Sequence, residues 1–160
     1  MELLLFDEVA DAVASLVPAD LGEVRHRAHR YGIKVWFGGD TPSKEHYEAQ
    51  VMGAGAMDTA EVLVLEVGFH SEYPDEARNQ AVLDQLLRDE RTWRRVLGTE
   101  AVAGSFLGRR EDWRRLSELW ADPDLSDPAV GIEIATRLTD YVVSLEPSRR
   151  RTTTARAPRA

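Results

Sequence analysis

Residues 62–70 read Val-Leu-Val-Leu-Glu-Val-Gly-Phe-His, and this stretch decides the class of fold. Its β-branched and aromatic residues predict a strand, and apolar side chains on both faces predict a central place in a sheet. Successive side chains of a strand point to opposite faces, so Glu66 and His70 share one face. The other face, which we expect to be the core face, carries Leu63, Leu65, Val67 and Phe69.

The segments around this strand predict an α+β domain. Residues 33–37 and 46–52 have strand patterns, and the Gly-rich connections between them are too short for a parallel crossover. Apolar residues recur at helical spacing over residues 3–16, 76–97 and 130–145, with a break near residue 89. Residues 101–107 fit a short strand, whereas 25–30 and 113–120 fit a helix or a strand. We therefore predict an antiparallel sheet of about four to five strands covered on one face by helices.

The composition excludes several classes of protein. The 160 residues include no cysteine, which excludes thiol catalysis, thiolate metal sites and disulfides. Apolar runs are far shorter than the roughly 20 residues that cross a bilayer, and the N-terminus lacks a basic signal region. Nearly all basic residues are arginine, a bias typical of GC-rich bacterial genomes. These features predict a cytoplasmic protein with no membrane partner.

The charge is divided unevenly along the chain. Residues 148–160 hold five arginines and no acidic residue, a composition that predicts a disordered basic tail after a single domain of residues 1–147. The 20 basic residues thus leave 15 in the body against 28 acidic ones, a formal charge of −13. Such a body repels phosphates, so we do not expect sequence-specific binding of nucleic acid.

The polar face of the central strand is the candidate site. His46 and Glu48 share a face of the preceding strand, and a pairing in which residue numbers sum to about 114 places Glu48 opposite Glu66. His46 and His70 then lie toward the same end. Imidazoles beside carboxylates are ligands for zinc, manganese or iron, so these four side chains form a candidate divalent-metal site.

Alternative interpretations of this face remain open. An antiparallel sheet often has one polar face in solvent, and a one-residue slip in register would turn one strand over. With no cation between them, Glu48 and Glu66 would repel each other and raise at least one pKa. Trp36, on the neighbouring strand, joins Glu48, Glu66 and His70 as a candidate for ligand binding.

The order of elements resembles degenerate members of the PD-(D/E)XK nuclease superfamily over residues 1–146. Glu66 matches the glutamate of the E-x-K motif, but Gly68 stands where the motif has its lysine. The same order resembles small acidic secretion-chaperone-like folds. That second resemblance implies partner binding and dimerisation.

Two functions follow from these patterns. The first is a non-catalytic binding or protein-interaction module, whose partner is another protein or a second copy of the chain. The alternative is a small metal-dependent hydrolase or lyase in which Glu48 and Glu66 are the candidate catalytic residues. The sequence leaves open whether the protein is an enzyme.

Overall fold

A computed structural model describes residues 3–52 and 63–155 and confirms the α+β class. Within these residues, six strands form one antiparallel sheet, slightly more than the sequence predicts. The strands are β1 (Val24–His29), β2 (Gly32–Phe37), β3 (Glu45–Met52), β4 (Val64–Ser71), β5 (Val102–Ser105) and β6 (Arg114–Ala121). The helices are α1 (Leu3–Leu16), α2 (Glu76–Arg88), α3 (Glu90–Leu97) and α4 (Val130–Ala155), and a short 3-10 turn spans Ala19–Leu21.

The sheet order is β1-β2-β3-β4-β6-β5, so β4 lies between β3 and β6, as expected for a central strand. The two segments with ambiguous patterns are both strands, β1 and β6. In β6, Trp120 pairs with Leu65 on the apolar side of the sheet. A helix would have kept Trp113 and Trp120 on one side. The strand instead follows from pairing with β4 over eight residues, which satisfies the backbone hydrogen bonds of both strands.

One face of the sheet and the four helices enclose the hydrophobic core. Leu65, Val67, Leu86 and Leu138 all belong to this core, which confirms the prediction that strand and helices share it. Leu63 was also expected there, but it is 47% exposed. It lies just before the first residue of β4, at the end of the strand. Within the described ranges, no helix is long and apolar enough to cross a membrane.

The C-terminal helix is longer than the sequence predicts. α4 continues through Pro147 to Ala155, so the predicted disorder from residue 148 does not hold for residues 148–155. Glu146 is fully buried, and its carboxylate accepts hydrogen bonds from Arg149 and Arg150, one turn further along the helix. Pro147 has no N–H to donate within the helix. The ion pairs of Glu146 with Arg149 and Arg150 span this position and stabilise the last turns of α4. The remainder of the predicted tail, residues 156–160, lies outside the described residues.

Candidate metal centre

The strand register places the candidate residues on one face but shifts their pairing. Paired residue numbers in β3 and β4 sum to 116 rather than about 114, so Glu48 pairs with Gly68 and Gln50 with Glu66. His46 lies directly opposite His70. A shift of two residues conserves the face of every side chain, which is why the predicted cluster still forms. The hairpin closure assumed for residues 53–61 lies outside the described residues.

This face is polar, but its centre is not solvated. His46, Glu66 and His70 are each at most 1% exposed, and Glu48 is 5% exposed. The ring of Phe106, in the segment between β5 and β6, packs edge-on against His70 with a centroid distance of 5.1 Å. The interpretation as a solvent-facing surface is therefore wrong. Buried ionisable groups need partners, and the partners of these residues define the site.

The orientation of the His46 ring is fixed through Nδ1, the nitrogen that points away from the carboxylates. Nδ1 lies 2.8 Å from the carbonyl oxygen of Ser43, which can only accept, so Nδ1 carries the proton and donates it. Nε2 is buried and has no hydrogen-bond partner among the described residues. In the neutral ring that Nε2 atom bears a lone pair, and it faces the oxygens of Glu48 at 3.7 Å and Glu72 at 3.5 Å.

The His70 ring is oriented in the same way by a carboxylate. Nε2 lies 3.0 Å from Glu66 Oε2, and that oxygen also accepts from Ser117 Oγ at 2.7 Å. Glu66 Oε1 accepts from Gln50 at 3.0 Å, so the carboxylate is held at both oxygens. His70 Nδ1 is buried and has no partner with hydrogen-bond geometry in the described chain. A carboxylate behind a histidine is the usual outer support of a metal ligand.

Four donor atoms converge at one point and alternate nitrogen with oxygen. His70 Nδ1 lies 2.8 Å from Glu48 Oε2 and 3.3 Å from Glu72 Oε2, and His46 Nε2 closes the ring at 3.7 and 3.5 Å. The donors of all four residues lie within 4.8 Å of one another. An ion bound at about 2.0–2.2 Å places neighbouring donors about 3–3.5 Å apart, so the ring has the size of a single-ion site.

The ionisation of the site follows from the same contacts. Burial would lower the pKa of His70, but Glu66, Glu48 and Glu72 raise it well above its ordinary value. Burial would raise the pKa of Glu66, yet His70, Ser117 and Gln50 lower it to about 2. The pKa of Glu48 also lies well below its usual range, because His46 and His70 outweigh its burial. The two carboxylates therefore flank His70, and the pKa increase expected from their repulsion does not occur.

Glu72 is the ligand candidate that the sequence interpretation missed. It lies one residue beyond β4, but its N–H donates to the carbonyl of Lys44, so the strand pattern continues. The alternation of Glu66, Gly68 and His70 extends to position 72, and that signal was available in the sequence. Glu66, predicted as a ligand, instead supports His70 from behind.

Two residues of β2 on this face, Lys34 and Trp36, have different surroundings. Lys34 pairs with Glu48 across β2 and β3, and its Nζ lies 3.6 Å from Glu72 Oε1, so it balances the charge of that carboxylate. Trp36 is buried on the same face, where its indole N–H donates to the carbonyl of Gly39 at 3.1 Å. This bond gives the indole a structural partner.

Gly68 separates this site from the E-x-K motif. A Cβ built at Gly68 would lie 2.5 Å from the backbone of β6, at Leu116 and Ser117. No side chain fits at that position, so a lysine two residues after Glu66 is sterically excluded. The close approach also brings Ser117 within hydrogen-bond distance of Glu66.

Comparisons with protein-family models, with curated proteins and with solved structures found no match to this chain. Its function must therefore be inferred from the site itself.

Proposed function

We propose that this protein binds a divalent transition-metal ion, zinc, manganese or iron, through His46, Glu48, His70 and Glu72. The observation that carries the proposal is the pair of buried imidazole nitrogens, His46 Nε2 and His70 Nδ1, which lack hydrogen-bond partners in the described residues. The opposite nitrogen of each ring is engaged by Ser43 or Glu66, so His46 Nε2 and His70 Nδ1 both face the carboxylates of Glu48 and Glu72.

The donor set favours these metals over the hard cations. Two imidazoles with two carboxylates suit zinc, iron and manganese, whereas calcium and magnesium prefer oxygen ligands alone. The acidic charge of Glu48 and Glu72 adds electrostatic attraction for a dication. The sequence predicts either a binding protein or an enzyme. For the binding protein, this proposal names the class of ligand, a divalent transition-metal ion. Its binding of a protein partner or a second copy remains a prediction.

Metal analysis of the purified full-length chain tests the proposal. After expression in metal-replete medium we expect about one equivalent of metal per chain. After chelation, calorimetric titration with Zn²⁺ and Mn²⁺ should show one site. His46→Gln and His70→Gln should each abolish binding. The chain offers matched controls in His26→Gln and His29→Gln, because both residues are exposed on β1. Equal binding by all four variants, or no binding by the wild type, would refute a metal site here.

Metal-dependent hydrolysis is the second candidate, and the direction of the ligands favours it. All four residues belong to β3, β4 and the extension of β4, so the protein donors approach an ion from the sheet side. A catalytic site further requires a coordination position open to water or substrate on the side away from the sheet. Metal-dependent cleavage of a nitrophenyl ester or phosphate ester, lost in His70→Gln but retained in His26→Gln, would support it.

A further inference from the structure

A second group of unpartnered donors lies beside the metal centre, on β6. Arg115 is 8% exposed, and its cross-strand partner in β4 is His70. Its only hydrogen bonds within the described chain come from Nη1 and go to the carbonyl and hydroxyl oxygens of Ser117. Nε is buried with no partner.

A buried arginine without a carboxylate partner is unusual. Buried guanidinium groups are almost always paired with a carboxylate, because removing an unpaired charge from water is costly. Among residues 3–52 and 63–155, no carboxylate oxygen lies within 4.0 Å of the Arg115 nitrogens, which form no salt bridge. Burial accordingly lowers the pKa of Arg115, and the charge of Glu66 offsets only part of that effect.

Open space lies at the cross-strand position next to Arg115 on the neighbouring strand. Gly104 in the edge strand β5 is the cross-strand partner of Arg115, and directly opposed residues project from the same face. A Cβ built at Gly104 would meet no atom within 4 Å. The position is at the edge of the sheet, where a small molecule has access.

Aromatic groups border the same space. Phe106 follows Gly104 by two residues and therefore lies on the same face, with its ring against His70. Trp113 packs on Phe106 with a centroid distance of 5.1 Å, and its buried Nε1 also lacks a partner among the described residues. Two buried N–H donors, one of them on the Arg115 cation, thus occur on the same sheet face as an open position.

We propose that Arg115, over Gly104 and beside Phe106 and Trp113, binds the oxyanion of a small molecule, either a carboxylate or a phosphate group. The guanidinium presents Nε and Nη2 as a fork that matches two oxygens of either group. Phe106 supplies an apolar wall for the rest of the molecule. The site extends the proposed metal centre toward the sheet edge but does not depend on it, because its donors are separate from the four metal ligands.

Titration of the chelator-treated, full-length chain with inorganic phosphate and with propionate tests this inference. Calorimetry or amide chemical shifts give the affinity, and the tighter of the two probes identifies the class of oxyanion. We expect Arg115→Gln to weaken binding by about tenfold or more, since it removes a charge-assisted hydrogen bond. Arg115→Lys should weaken binding less, because it keeps the charge but loses the fork.

Gly104→Val is the independent variant. It fills the open position without touching the guanidinium, so it should also weaken binding about tenfold or more. If Arg115→Gln fails to fold, Gly104→Val still tests the proposed anion site. Arg27→Gln, at an exposed position on β1, should bind as the wild type does.

Three results would overturn the inference: no binding of either probe, unchanged binding in Arg115→Gln, or unchanged binding in Gly104→Val. Because these titrations contain no metal, they separate this site from the proposed metal centre. Metal binding with no anion binding would leave only the metal proposal standing, and the reverse result would leave only the anion site.

Discussion

The two faces of the sheet bury their charged side chains in contrasting ways. On the helix-covered face, Glu118 accepts hydrogen bonds from Tyr141, Arg137 and Trp120 at 2.8–2.9 Å. Glu146 likewise accepts from Tyr47 and from the two arginines of its own helix. Each of these carboxylates has a full set of partners.

On the helix-free face, several buried nitrogen atoms of the described residues have no hydrogen-bond partner. Five buried side-chain atoms in the described residues lack a hydrogen-bond partner, and only that of Ser144 belongs to a helix. The other four are clustered on the helix-free face, in His46, His70, Trp113 and Arg115. A complete network stabilises the fold, whereas a clustered set of incomplete ones indicates a place for a ligand.

The largest expected effect is at the completed network on the helix side. Glu118→Ala leaves the buried Tyr141 and the partly buried Arg137 without this acceptor, so we expect a loss of about 3–5 kcal/mol in the free energy of unfolding. The exposed Glu100→Ala should change it by less than about 0.5 kcal/mol. Urea denaturation followed by circular dichroism measures both. Similar small losses for the two variants would show that the Glu118 network does not stabilise the fold.

The apolar part of the same face provides the next largest effect. Leu65→Ala should cost about 2–5 kcal/mol, because the side chain is fully buried between sheet and helices. Leu63→Ala, two residues earlier and half exposed, is the matched control and should cost under about 1 kcal/mol. A reversal of this order in denaturation experiments would place Leu63 rather than Leu65 in the core.

The helix-free face should respond in ligand affinity more than in stability. Glu66→Gln removes the charge behind His70, and loss of such a support typically weakens metal binding about 10–100-fold. Calorimetric titration with Zn²⁺ measures the change against wild type. Gln85→Ala, at a partly exposed position on α2, provides a control away from the site. Unaltered affinity in Glu66→Gln would mean that His70 is not oriented through this carboxylate.

The smallest effect concerns acid stability at the end of α4. Arg149, Arg150 and Tyr47 outweigh burial and lower the pKa of Glu146. A lowered pKa in the folded state contributes stability that is present above the ordinary glutamate pKa of about 4.3 and is lost as the pH falls through the folded value. In Glu146→Gln the loss of stability between about pH 5 and pH 2 should be shallower than in wild type.

Substitutions of Arg149 and Arg151 provide a matched comparison for the end of α4. Arg149→Ala removes one of the partners of Glu146 and should lower the melting temperature, whereas Arg151→Ala alters an exposed contact with Asp89 and should leave it nearly unchanged. Equal melting temperatures for the two variants would indicate that the end of α4 does not stabilise the domain.

Much of this architecture was predictable because its signals are local. The alternation through β4 assigned Glu66 and His70 to one face and Leu65 to the other, since the side-chain period of a strand is two. The break between α2 and α3 was visible at Asp89. The strand in residues 114–121 was not predictable, because its spacing also fits a helix and only pairing with β4 decides between them.

The amino-acid sequence by itself therefore determined the class of fold, the face of each strand residue in β3 and β4, and the gathering of two histidines with carboxylates. Tertiary structure decided the rest. The register, shifted by two residues, made Glu66 a partner of His70 Nε2, and Glu72 lies beside the other nitrogen of the His70 ring. The close approach of β4 and β6 at Gly68, and the pairing of Arg115 with Gly104, depend on strands distant in sequence. Such contacts are set by packing across the whole sheet, which no local pattern encodes.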